Sequence, residues 1–278
     1  MNFDIHNDGC YVLKDVYSHD LINQIKTHTE SYFSNPNSKK SEGNLLVNAI
    51  NIKGFELHHE LFKSTKLMEY LNSICGGQAK YCHHYDVRLG NPALNFHQDG
   101  GIRHLNQLFV HKGRKGWDDN RLRNHVREKY DLEYSELCGV DNWKEFSNPK
   151  NEYNMKHEVR GEKMEVFRLM IYMQDHDKSG GLKVLKGSHR KSKDKCDQEY
   201  VPTSMGDVLI FHTSLFHEGT QSSNRGLISS AFGVDNFLTD MHIEGTIGRQ
   251  QNMNGEQIQN YRLSDDLKNI FDEMGIIY

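Results

Sequence analysis

The sequence has four prolines, five cysteines and two tryptophans in 278 residues, and it has no long hydrophobic run. Nothing in it approaches the roughly 18 consecutive apolar residues of a membrane-spanning helix. The first ten residues carry Asp4 and Asp8 and lack the basic and apolar regions of a signal peptide. A cytoplasmic protein with no membrane partner is therefore expected. The cysteines (Cys10, Cys75, Cys82, Cys138 and Cys196) are odd in number and form no Cys-x-x-Cys pair. That pattern argues against a disulfide framework or a cysteine zinc site and for five reduced thiols. Excess positive charge is also missing. The 34 Lys and Arg are opposed by 38 Asp and Glu, for a formal net charge of −4, so nucleic acid is not an expected partner. No repeat, low-complexity tract or proline-rich linker breaks the chain.

What remains is polar but foldable. Mean hydropathy is −0.76, yet Leu, Ile, Val and Phe together make up 66 of the 278 residues. That fraction lies above the roughly 20% below which disorder becomes the expectation. The polarity is local. Residues 111–161 hold 21 charged side chains in 51 positions, against 51 in the other 227. Asp118-Asp119 can open a helix there that runs to about Tyr130, with the acids at the positive end of its dipole. This stretch reads as an insertion on the outside of a sheet.

Before it, Gly9 to Leu13 reads as a short strand. Ser18 is placed to cap a helix bearing Leu21, Ile22 and Ile25. A second helix is expected over Glu56 to Cys75, stopped by Gly76-Gly77. From Lys80 the pattern changes to short strands: Lys80–Leu89, Leu105–Val110, Met164–Met173, Leu182–Leu185, Asp207–His212 and Gly226–Val234. Many short strands with turn residues between them predict a sandwich, barrel or jelly roll, not a parallel sheet with crossover helices. The segment from about Glu256 reads as a final polar helix. The expected organisation is one domain over 1–278. It has helical support at 1–79, a β core at 80–235 with the insertion 111–161, and a C-terminal extension at 236–278.

The chemistry concentrates in two places. In Asn95-Phe96-His97-Gln98-Asp99-Gly100-Gly101, strand alternation turns His97 and Asp99 to one face and Gln98 to the other. In Met205 to His217, a Gly-Asp turn feeds an apolar strand that ends near a histidine, and Arg225 opens the next strand. A His-x-Asp and a distant histidine form the two-histidine, one-carboxylate facial triad associated with non-haem Fe(II) oxygenases. An arginine on the neighbouring strand can grip the distal carboxylate of a 2-oxo acid through a bidentate fork. His212 is the rival to His217, but its place inside the strand favours His217 as the ligand.

These residues, taken with several landmarks in order, resemble the phytanoyl-CoA dioxygenase-like family of Fe(II)/2-oxoglutarate oxygenases. The landmarks are Asp8-Gly9-Cys10-Tyr11-Val12-Leu13-Lys14, His97-Gln98-Asp99-Gly100, Tyr172-Met173-Gln174-Asp175-His176, the run from Gly180-Gly181-Leu182 to Gly187-Ser188-His189-Arg190, and Gly206-Asp207-Val208 leading to His217 and Arg225. The resemblance spans about residues 3–235. It implies a mainly β fold, a double-stranded β-helix of cupin-like jelly-roll form with flanking helices. It also implies His97, Asp99 and His217 as iron ligands and Arg225 as the 2-oxoglutarate anchor, with O2 as the other cosubstrate.

The implied reaction hydroxylates a C–H bond of a small polar, anionic metabolite and releases succinate and CO2. Desaturation, cyclisation or epimerisation is the alternative with the same cofactors, and a non-catalytic jelly-roll binding protein is a third reading. Asp99 places halogenation last, because halogenating relatives replace that carboxylate.

Arg168 lies mid-strand opposite the apolar face of Phe167, Leu169, Ile171 and Met173. It is expected either to touch substrate or cosubstrate or to form a structural ion pair. His83-His84 are read as core or surface histidines, and His189 as a hydrogen-bonding residue of the Gly-Ser-His loop. From Arg103 to Lys129 eight basic residues face three acids, which gives either a solvated helix face or a lid that attracts an anionic substrate. Oligomeric state is not legible.

Overall fold

The structure, a computed structural model, describes residues 3–38, 40–41, 44–90, 95–99, 119–133, 135–136, 158–176, 181–220, 225–254 and 262–278. Its elements in chain order are β1 (Cys10–Leu13), α1 (His19–Ser34), β2 (Leu45–Leu46), α2 (Thr65–Cys75), β3 (Lys80–Leu89), α3 (Asp119–Tyr130), β4 (Glu158–Val159), β5 (Glu162–Lys163), β6 (Val166–Tyr172), β7 (Leu182–Leu185), β8 (Gln198–Val201), β9 (Val208–His212), β10 (His217–Gly219), β11 (Gly226–Gly233), α4 (Phe237–Asn254) and α5 (Asp265–Glu273).

Two antiparallel sheets make a jelly-roll core. The larger has the order β1-β9-β6-β11-β3-β2 and the smaller β10-β7-β8, while β4 and β5 form a separate hairpin. Strand alternation sorts the large sheet into two faces. The outward face carries Tyr85, Val87, Leu169, Ile171, Ile210 and Ile228, and it is covered by Ile22 and Ile25 of α1, Leu67 and Leu71 of α2 and Phe271 of α5. The inward face turns Met170, Tyr172, Leu209, Phe211 and Leu227 toward Leu182, Val184 and Val201 of the small sheet. Fully burying one such side chain contributes about 1.5–3 kcal/mol. A third apolar group, with Cys82, Val126, Val166, Leu238 and Met241, fastens α3 and α4 to one end of the sheet.

Local signals act where expected. The Ser18 hydroxyl accepts from the Leu21 amide to cap α1, and Gly76 ends α2 at φ 68°. The single helix expected over Glu56 to Cys75 is instead two pieces. A 3-10 helix covers Glu56–Lys63, and Ser64 then takes an extended conformation so that its hydroxyl caps α2 at Leu67. A serine that can satisfy an orphan amide starts a new helix more readily than it continues an old one.

Gly206 marks the entry to β9. Its φ is 94°, and a Cβ there would lie 2.4 Å from the Tyr17 carbonyl oxygen, which only glycine avoids. Its own carbonyl accepts from the amides of Val16 and Tyr17. Asp207 beside it is buried and receives Lys14, the Asp15 amide and the Ser204 amide.

Six expected strands are present as β1, β3, β6, β7, β9 and β11. The strand expected over Leu105–Val110, and most of the 111–161 insertion, lie outside the described residues. The expected helix from about Glu256 is α5, which starts only at Asp265 and is amphipathic, with Leu267, Ile270 and Phe271 buried. α4 was not expected. Its polar residues outnumber its apolar ones, and it packs through Leu238 and Met241 while the Gln250 side chain donates to the His83 carbonyl. Among the described residues no helix is long and apolar enough to cross a membrane, and Cys10, Cys75, Cys82 and Cys196 are free thiols.

Candidate metal centre

β9 ends at His212, and the chain then turns through Thr213 to Phe216 into β10, which His217 begins. Residues 95–99 lie along this turn. His97 and His217 exchange both backbone hydrogen bonds, at 3.0 and 2.9 Å, and the Asp99 amide donates to the Thr213 carbonyl at 2.9 Å. The Gln98 amide group donates to the Ser214 carbonyl at 2.5 Å. The expected strand here is thus a one-residue bridge, but the alternation holds. His97 and Asp99 face the interior of the roll, and Gln98 secures the backbone on the other side. The Gly-Ser-His loop contributes as well, because the Ser188 hydroxyl accepts from the amide of Phe216, one residue before His217. His189 reaches the His6 carbonyl at 3.2 Å, the anchoring role expected of it.

The ligating atoms of His97, Asp99 and His217 all lie within 4.8 Å of one another, the one such cluster among the described residues. His97 Nε2 is 3.5 Å from Asp99 Oδ1, and His217 Nε2 is 3.5 Å from Asp99 Oδ2. Each Nδ1 is paired with a backbone carbonyl two residues earlier, Asn95 at 2.8 Å and Leu215 at 2.9 Å. A carbonyl only accepts, so each Nδ1 carries a proton and each Nε2, the nitrogen left for ligation, faces the carboxylate. Two neutral imidazoles and one carboxylate are a donor set suited to Fe(II) with coordination positions left open.

Arg168, on β6, extends over this cluster. Its guanidinium lies 3.1 Å from Asp99 Oδ2 and also contacts His84 Nε2 and, at 3.3 Å, the Ser229 hydroxyl. Burial by itself would raise the Asp99 carboxyl. The Arg168 charge and the His217 and His97 rings outweigh burial and hold it well below the usual carboxylate range. Burial would likewise lower His97, but Asp99 beside it leaves that imidazole above its ordinary value. The ion pair considered for Arg168 in the sequence therefore forms, and its partner is the carboxylate of the triad.

Arg225 is 2% exposed at the head of β11. Its guanidinium donates to the Tyr172 hydroxyl at 2.8 Å and to the Thr220 carbonyl at 3.1 Å, and lies over the Tyr172 ring. Among the described residues its buried Nε has no hydrogen-bond partner. A buried donor left unmade costs about 1–3 kcal/mol, so the residue suits an anion that arrives from the cavity. Arg225 and Arg168 line one cavity of about 130 Å³ with His97, Asp99 and His217.

His212 stays out of this group. Its Nδ1 accepts from the Ser214 amide, and its ring packs on Phe167 and His189. His84 turns inward to Arg168, while the neighbouring His83 lies against Tyr81. Of the basic stretch, Arg103, Lys112, Arg114 and Lys115 lie outside the described residues. Arg127 makes two 2.9 Å hydrogen bonds with Glu133, and His125 and Lys129 both reach Glu244 of α4. Tyr172, Asp86, Arg88 and Ser229 were missed by the sequence reading. The signal was present in β3, where His84, Asp86 and Arg88 alternate with apolar Tyr85 and Val87.

The family model described as phytanoyl-CoA dioxygenase (PhyH) matches residues 150–226, a stretch that contains His217 and Arg225. Over that stretch the chain resembles the phytanoyl-CoA dioxygenase family. That class is an oxidoreductase dependent on iron and 2-oxoglutarate. Solved structures with the same fold include AviO1 from Streptomyces viridochromogenes Tue57, at 16% identity and a TM-score of 0.52, covering 83% of this chain and 92% of that one. EctD from S. alaskensis with 2-oxoglutarate and 5-hydroxyectoine has 12% identity and a TM-score of 0.52, covering 83% and 73%. The epimerase SnoN in complex with Fe3+, alpha ketoglutarate and nogalamycin RO has 11% identity and a TM-score of 0.51, covering 83% and 80%. No curated protein matches the chain in sequence.

Proposed function

We propose that this phytanoyl-CoA dioxygenase-like chain hydroxylates a C–H bond of a small polar metabolite that carries negative charge, with release of succinate and CO2. The observation that carries the reading is the convergence of His97, Asp99 and His217 on one point beside the buried Arg225. In this reading the three residues hold Fe(II) and Arg225 holds the distal carboxylate of 2-oxoglutarate. Bound together, iron and 2-oxoglutarate supply the oxidising power, by oxidative decarboxylation with O2. The chain's own residues orient and exclude. The backbone bridge between His97 and His217 sets the ligand spacing, Arg168 keeps Asp99 ionised, and Tyr172 aims the Arg225 guanidinium. Leu182, Met170 and Leu227 keep the cavity wall apolar and limit water at the reacting carbon.

A second outcome with the same cofactors, epimerisation, is favoured by one observation, the structural likeness to SnoN, described as a non-heme alpha ketoglutarate dependent epimerase. The test is a metabolite screen that scores both succinate formation and the product of each hit. Hydroxylation predicts a product heavier by one oxygen, formed in step with succinate and absent with His97→Ala. Succinate formation that no metabolite stimulates in the iron-loaded wild type would contradict the reading.

A further inference from the structure

β6 turns three side chains in succession into the roll. Arg168, Met170 and Tyr172 share its inward face, with about 7 Å of strand from one to the next. Arg168 lies 3.1 Å from Asp99 of the proposed metal site, and Tyr172 holds the Arg225 guanidinium at 2.8 Å. Met170 therefore stands between the residue at the metal corner and the residue at the cosubstrate anchor. It lines the cavity of about 130 Å³ that both corners share, and among the described residues it brings the only sulfur to that lining.

The sulfur is held in place. A guanidinium can only donate, so the Tyr172 oxygen accepts from Arg225 and its one phenolic proton is left for another partner. That partner is the Met170 thioether, at 3.5 Å. A side chain that is otherwise adaptable is thus fixed in the cavity wall. A thioether is also readily oxidised. Its sulfur takes up an oxygen atom on a lone pair, whereas Leu45, Leu182 and Leu227 of the same wall offer only C–H bonds.

Under the function proposed above, on which this inference rests, the oxidising power that iron and 2-oxoglutarate supply arises in this small space. We propose that Met170 is a self-oxidation site: when O2 is consumed with no substrate in the cavity, the oxygen atom that would enter the substrate passes to the Met170 sulfur and gives methionine sulfoxide. The C1–C2 bond of 2-oxoglutarate breaks and C1 leaves as CO2. One oxygen atom of O2 enters the new carboxylate of succinate and the other forms the S–O bond. 2-Oxoglutarate and the thioether each give up two electrons, O2 takes up four, and no proton is left over. The sulfoxide oxygen is a stronger acceptor than the thioether and a polar group in an apolar wall, so it draws on the Tyr172 hydroxyl that aims Arg225. Oxidation then weakens 2-oxoglutarate binding, and a bound substrate protects the site by taking the oxygen itself.

The test incubates Fe(II)-loaded wild type with 2-oxoglutarate in air, with no metabolite added, and reads each methionine by peptide mass spectrometry. Added oxygen should appear at Met170 in step with succinate. It should exceed at least tenfold that at Met173, which is buried on the outward face, and that at the partly exposed Met205 and Met274. It should be missing without 2-oxoglutarate, without O2 and in His97→Ala. The treated protein should need at least fivefold more 2-oxoglutarate to develop the anaerobic charge-transfer band, while Met170→Leu, a swap that keeps the volume, should show no such change after the same treatment. Four results overturn the proposal: succinate formed while Met170 stays unmodified, oxygen spread over Met205 and Met274 as fully as over Met170, Met170 oxidised equally without 2-oxoglutarate, or a wild type that shows the band yet neither forms succinate nor marks Met170. Marked protein that binds 2-oxoglutarate as before overturns the link through Tyr172. Absence of the band from folded wild type is a different failure, that of the iron and 2-oxoglutarate assignment itself.

Discussion

Arg168 and Asp99 form an ion pair at 3.1 Å, and the carboxylate that pairs with the arginine is the one that clusters with His97 and His217 in the proposed metal site. Before metal binds, Arg168 is the main charge compensating Asp99. A bound divalent ion takes over part of that work. Arg168 is buried and Asp99 partly exposed, so Arg168→Met should cost less than the about 3–5 kcal/mol of a fully buried pair and should lower the melting temperature of the apo protein. Because the metal replaces the missing charge, the rise in melting temperature on adding Co(II) should be larger in Arg168→Met than in wild type. Differential scanning fluorimetry with and without Co(II) checks this, and equal shifts would show that the pair does not act on the ligand.

The Ser188 hydroxyl supports the site from the small-sheet side by accepting from the Phe216 amide at 2.9 Å, in a buried setting. Ser188→Ala leaves that amide without a partner and should cost about 1–3 kcal/mol. Urea denaturation of the apo protein measures it. Co(II) affinity should fall as well, since Phe216 leads directly into His217.

His58 makes the fold sensitive to acid. It is fully buried, its Nδ1 meets the Tyr85 hydroxyl at 2.9 Å, and it packs against Phe55 and His28. Burial first, then the neighbouring His28 and His59, push its pKa down to about 3. The unfolded chain takes up a proton near pH 6.5 and the folded chain does not until about pH 3. Unfolding therefore gains protons in that window, and stability falls as pH drops through it, by about 1.4 kcal/mol per unit from this residue. His58→Gln should flatten the decline. Apo-protein denaturation at pH 7, 6 and 5 gives the slopes, and parallel slopes would refute the assignment.

Gly206 is a local test of the fold. Its φ of 94° alone costs another residue about 1–3 kcal/mol, and a Cβ would also meet the Tyr17 carbonyl at 2.4 Å. Gly206→Ala should lose more than that range in chemical denaturation, with the β1 to β9 pairing the first to loosen in hydrogen exchange.

Much of this was legible in the sequence because the signals are short-range. Alternation identified β3, β6, β9 and β11 and turned Arg168 away from the apolar face of Phe167 and Leu169. The His-x-Asp spacing survived although residues 95–99 form only a bridge, since side-chain alternation needs extended backbone and not a long ladder. Other features depend on tertiary context. Ser64 splits one helical pattern into two because a cap competes with helix continuation. β10 has only three residues, β8 (Gln-Glu-Tyr-Val) lacks the apolar alternation that marks the equally short β7, and α4 has no clear apolar stripe. Pairings such as Arg168 with Asp99 and Arg225 with Tyr172 join residues far apart in sequence that only the sheet register brings together.

The central claim is that His97, Asp99 and His217 hold iron next to the 2-oxoglutarate anchored by Arg225. Its most direct test is the visible charge-transfer absorption on anaerobic addition of Fe(II) and 2-oxoglutarate. The band is expected in wild type, lost in His97→Ala and in His217→Ala, and reached only at much higher 2-oxoglutarate concentration in Arg225→Leu. Folded wild-type protein without the band, or a band that survives in both histidine variants, would contradict the account.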